Sequence, residues 1–126
     1  MLVNPKTMVV LSTVVRMISI FWSNFVFIYS FAVGQTNADL QHLKHVAHLD
    51  SGIRLMFQGS IPGALDELER SLAIEPDHYE IHHYLAMAYE EGGRWNSVIL
   101  ATAKSLELKP NNIEALYLRG KAFFNL

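Results

Sequence analysis

From residue 45 onward the chain repeats itself at an interval of 34 residues, and few architectures tolerate that. Ser71-Leu72-Ala73-Ile74-Glu75-Pro76-Asp77 returns as Ser105-Leu106-Glu107-Leu108-Lys109-Pro110-Asn111. Gly52, Ala86 and Gly120 keep the same interval, as do Leu55, Tyr89 and Phe123. Gly59 is matched by Gly93, Ala64 by Val98 and Leu65 by Ile99. A unit of this length is one helix–turn–helix. A single such hairpin cannot bury its apolar stripe, so it leans on the next one.

Local signals place the helices. Thr36 and Asp39 have capping-box-like spacing. They predict a helix beginning near Asn37–Asp39 and running to about Gln58, where Gly59 stops it. Pro62 suits the first turn of the next helix, where its missing N–H is not needed. Ala64, Leu65, Leu68, Leu72 and Ala73 then recur at three- and four-residue steps as one apolar stripe. Pro76 closes that helix by forcing the preceding residue out of the helical region. Asp77 with Glu80, and Asn111 with Glu114, are expected to cap the helices that follow. Gly92-Gly93 divides the second unit, and a further helix is expected over Trp95–Leu108. The short connections imply antiparallel hairpins.

The residues that carry the period resemble those of the tetratricopeptide repeat (TPR) family. By that resemblance repeat one spans 45–78, with Gly52, Leu55, Ala64, Ser71 and Pro76 in or beside the family's fixed places. Repeat two spans 79–112, with Ala86, Tyr89, Val98, Ser105 and Pro110, and a partial third covers 113–126. His82, Val98 and Thr102 depart from the usual Trp or Leu, Ala and aromatic residue. The implied fold is all-α: an α-solenoid of about two and a half TPR hairpins, with residues 35–44 lengthening the first helix. The last unit stops at Leu126 without its second helix, so the expectation is a fragment of a longer array.

Residues 1–34 differ in kind. Met8–Val33 is almost wholly apolar or small, with Lys6 and Arg16 ahead of the stretch Met17–Tyr29. Small residues at Ala32 and Gly34 sit where a signal peptidase inspects. The segment therefore reads as a secretory signal peptide. A retained anchor is the rival, because Met17–Gly34 approaches bilayer-spanning length. The next positive residue, Lys44, lies well beyond, which would leave the repeats lumenal. A misassigned gene start is the third alternative. Either of the first two delivers the repeats to the secretory pathway, with the endoplasmic reticulum lumen as the expected compartment.

In TPR arrays the first helix of each repeat lines a concave groove. The resemblance puts Val46, Leu49, Asp50, Ile53, Met56 and Phe57 there from repeat one. Glu80, His83, Tyr84, Met87 and Glu90 come from repeat two. The partial third supplies Glu114, Tyr117, Leu118, Lys121 and Phe124. Leu49, Ile53, Met56, Phe57, His83, Tyr84, Met87, Tyr117, Leu118 and Lys121 are the expected client-binding set, although any of them could equally be core. The carboxylate clamp of the TPRs that hold heat-shock-protein tails would fall on Leu49, Ile53, Tyr84, Glu114 and Leu118. None of these offers a charged donor. Such a lining suits unfolded or hydrophobic polypeptide segments, since flexible Met side chains adapt to varied partners.

The formal charge of −2 and the absence of basic runs give no nucleic-acid footprint. With no cysteine there is neither a disulfide framework nor a thiolate zinc site. His42, His45 and His48 recur every third residue and are expected on a polar capping surface rather than at a metal. No catalytic motif is found, so neither enzyme activity nor a cofactor is expected. A leader followed at once by TPRs is similar to the lumenal co-chaperones that join TPRs to a J domain, the kinase-inhibitor type of DnaJ subfamily C. That likeness implies client holding, and partnership with lumenal Hsp70 through a J domain whose His-Pro-Asp signature these residues lack. The alternatives are a membrane-anchored scaffold for one partner and a regulatory appendage of an enzyme such as a glycosyltransferase.

Overall fold

The computed structural model describes residues Asn4–Leu126. Among these residues there are five helices and no strand. They are α1 (Pro5–Phe57), α2 (Ile61–Ile74), α3 (Tyr79–Glu91), α4 (Trp95–Leu108) and α5 (Ile113–Phe124). The chain divides into two units, one up to Asp39 and one from Leu40 to Leu126.

The first unit is helical from Pro5, and its described side chains are all exposed. Phe21, Trp22, Phe25, Phe27 and Phe31 are among its exposed apolar residues. By length and composition this is a helix able to cross a bilayer, a test that a signal sequence also passes. No helix starts at Asn37–Asp39: residues 36–40 continue α1. The Thr36 hydroxyl, expected to cap, instead donates to the Val33 carbonyl at 2.9 Å. That back-bond is the usual resort of a threonine inside a helix.

The second unit holds the core. Gly59 and Gly93 end the first helix of each repeat in the left-handed region, at φ 79° and 65°. The Ser60 N–H reaches the Leu55 carbonyl and the Gly59 N–H that of Met56. One period on, Arg94 reaches Tyr89 and Gly93 reaches Glu90 in the same way. These are Schellman closures, which satisfy carbonyls the helix end would leave bare. Before the prolines, Glu75 and Lys109 leave the helix in nearly identical conformations, φ/ψ −130°/84° and −138°/87°. Pro62 lies in the first turn of α2, behind its N-cap Ser60. The caps of α3 and α5 fall one residue later than expected. His78 precedes α3 without a side-chain cap, and the Asn112 side chain accepts from the Ala115 N–H at 3.3 Å. Asp77 and Asn111 stand outside the helices.

Helix pairing can be read from partner numbers. His45 meets Ser71, His48 meets Glu67, and Gly52 meets Leu68 and Ala64. The partner number falls as the α1 number rises, so these helices run antiparallel. A Cβ on Gly52 would lie 2.8 Å from Leu68 Cγ and 3.3 Å from the Ala64 carbonyl oxygen. Glycine is therefore what lets the two backbones approach. Leu68, Ile81, Ala86 and Val98 are wholly buried in one cluster with Leu85, Ala101, Leu118 and Ala122. In α2, Leu65 and Leu72 are half-buried and Ala73 is exposed, so the apolar stripe is narrower than its sequence.

Two polar bonds recur with the period. Ser71 Oγ donates to the His45 carbonyl at 3.0 Å, and Ser105 Oγ to the Tyr79 carbonyl at 3.1 Å. Each ties the second helix of a hairpin to the first residue of its 34-residue repeat. The unusual residues of repeat two are also satisfied. The His82 ring donates from Nε2 to the Pro76 carbonyl at 2.9 Å, and the Thr102 hydroxyl to Val98 at 2.7 Å. A buried polar group with a partner avoids the penalty that an orphan would carry.

The histidines of α1 are not a polar capping surface. His45 is 1% exposed, and its Nδ1 lies 2.8 Å from Ser71 Oγ. Because that hydroxyl donates to the His45 carbonyl, the ring nitrogen must be the donor between them. His48 donates to the Glu67 carboxylate at 2.8 Å, and only His42 is fully exposed.

Candidate functional site

The helix α3 supplies one side of a groove and α5 the other, with Phe57 at the end of α1 joining them. The groove is open and encloses about 720 Å³. Its buried base is His83 and Leu118; Tyr84, Met87 and Glu90 are half-buried, and Phe57, Ile113, Glu114, Tyr117 and Lys121 form an exposed rim. Positions 83, 87 and 90 share a face of α3 because helical neighbours recur at three and four residues. Positions 114, 117, 118 and 121 do the same on α5. The repeat register brings these faces together.

The expected site residues divide between groove and core. Phe57, His83, Tyr84, Met87, Tyr117, Leu118 and Lys121 all line the groove. Leu49 and Met56 are buried in the core cluster, and Ile53 packs against it half-buried. These three do not line the groove, and Phe124, 90% exposed, also lies outside it. Ile113, which no reading of the sequence singled out, contributes to the rim. Its place one residue before Glu114, opening α5, was the available signal.

The charges are distributed unequally. The Lys121 ammonium donates to the Glu90 carboxylate across the rim, which raises the lysine pKa. His83 Nε2 is 3.4 Å from Glu114, while its Nδ1 is buried without a partner. Burial holds the His83 pKa below the ordinary imidazole value, against the opposing pull of Glu114 and Glu80. The ring is therefore neutral near pH 7. Its edge meets the Tyr84 ring at 5.4 Å. Burial, then Glu80, then Glu114 push the Tyr84 hydroxyl pKa upward. That end of the groove is acidic in character.

Chemically, the arrangement offers aromatic and thioether surface, one internally neutralised ion pair and a neutral imidazole. An apolar lining with a few placed polar groups is the usual composition of a binding cleft. No family model matches the chain. Over 76 residues, which are 60% of this chain and 13% of the relative, it is 25% identical to a PEX5-related protein of Rattus norvegicus. The chain thus spans a small part, 13%, of that relative's length.

Proposed function

We propose that this chain is a TPR-type protein-interaction module whose α3–α5 groove holds apolar segments of other polypeptides. The observation that carries the reading is the rim of Phe57, Tyr117 and Ile113 around half-buried Met87 and Tyr84. Exposed apolar side chains gathered in one concave place mark an interaction surface more often than a chance cluster. The hairpins in a solenoid-like 34-residue register support the same reading, as does the distant likeness to a PEX5-related protein. Binding rather than catalysis is the role proposed.

The compartment proposed is the secretory lumen, reached through the apolar segment that follows Lys6 and Arg16. There the module would act as a client-holding part of a co-chaperone. Handing clients to Hsp70 would require a J domain, so the role proposed is client holding. The uniformly exposed apolar helix of the first unit favours one second reading, a membrane-anchored scaffold that presents the same groove to a single partner.

A suitable test uses Phe57→Ser and Tyr117→Ser, because both side chains are exposed and their loss leaves the core intact. The full chain should suppress aggregation of several chemically denatured proteins, and the double variant should lose most of that effect while keeping its helicity. Suppression unchanged in the double variant would remove the groove from the account. Saturable binding to one partner alone would favour the scaffold.

A further inference from the structure

We infer that the groove prefers apolar segments carrying a lysine or arginine, whose cation docks on Glu114; this rests on the reading of the groove as a peptide site. The Glu114 side chain is 79% exposed on the rim, at the start of α5. Its basic neighbour is His83, whose buried ring is kept uncharged and cannot cancel the carboxylate. Glu80, in the first turn of α3, adds a second negative charge that acts on the same His83 and Tyr84.

Among the described residues, neither nearby lysine is paired with Glu114, although the charge of Lys109 also reaches His83. Lys121 is bound to Glu90. Lys109 donates to the Tyr79 hydroxyl at 3.1 Å and stands 4.2 Å over that ring, while the same hydroxyl donates to Glu80. Among the described residues, Glu114 is thus the charge in this apolar cleft without a cationic partner. A basic side chain bound beside Tyr84 and Tyr117 would meet both a carboxylate and aromatic faces, which attract cations too. A segment presenting a carboxylate there would be repelled.

Magnitude decides what this contact does. One exposed pair changes affinity by only about two- to fivefold at moderate ionic strength. The apolar rim therefore supplies the binding and Glu114 the selection, as charged groups commonly do at interfaces.

The experiment uses the full chain in lipid nanodiscs and three fluorescent peptides of one apolar sequence, with Lys, Gln or Glu at the centre. Anisotropy titrations should rank them Lys, Gln, Glu, with steps of about two- to fivefold that shrink in high salt. Glu114→Gln should equalise the affinities of the Lys and Gln peptides. Glu107→Gln, on the exposed face of α4, should keep the native ranking. Equal affinities on the native chain, or a ranking that survives Glu114→Gln, would overturn the preference and leave the groove a neutral peptide site. Failure of all three peptides to bind would overturn the preference and the peptide-site reading together.

Discussion

At the scale of single residues, the second unit depends on polar side chains that the sequence presents as ordinary surface. His45 is the clearest case. Nothing near it in sequence announces burial, because its partner Ser71 is 26 residues away. Burial first, then the neighbouring His78, lower the His45 pKa; burial does the same for His83. The sign follows directly. Unfolded imidazoles take a proton near pH 6.5, whereas these folded ones take it only at lower pH. Stability is therefore full above that value and declines as pH falls below it. Urea midpoints measured at pH 7.5 and 5.5 should be lower at the acid value, and His45→Gln should reduce the difference. Equal midpoints would mean that neither ring is shielded. His83 was legible as a groove residue from its register, but its bare Nδ1 and its contact with Glu114 were not, since they depend on how α5 docks.

At the scale of helices, the 34-residue register carried most of the information. Gly59, Gly93, Pro76 and Pro110 act on their own backbone, and each ends its helix where sequence places the end. Caps were less legible. Asp77 and Asn111 are good capping residues, yet the chain enters α3 and α5 one residue later, at His78 and Asn112. No helix begins near Asn37, because Thr36 finds a carbonyl within α1 and so does not interrupt it. Equivalent positions also need not have equivalent surroundings. An added Cβ at Gly52 meets Leu68, whereas at Gly120 it meets nothing within 4 Å. Gly52→Ala should destabilise, because overpacking of about 1–3 kcal/mol outweighs a propensity gain of about 0.5–1 kcal/mol. Gly120→Ala should stabilise by roughly 0.5–1 kcal/mol through propensity alone. Denaturant midpoints at constant slope would distinguish them. A shift of the same sign for both would refute the close α1–α2 approach.

At the scale of the molecule, the all-helical class was legible because one pattern recurs and each unit supports the next. The partition between groove and core was not. Leu49, Ile53 and Met56 share α1 with Phe57, yet the first three pack inward and the last is 76% exposed. A periodic stripe gives a direction to within a residue or two, and the neighbouring helix decides which edge it covers. The central claim is that α3 and α5 face one another across a single apolar groove. The chain contains no cysteine, so Glu90→Cys with Lys121→Cys places two unique thiols at the groove's ion pair. A short bifunctional thiol reagent should bridge them within one molecule, and urea should abolish the bridge. If the folded chain yields no intramolecular bridge, the two helices do not form the groove and the binding reading loses its basis.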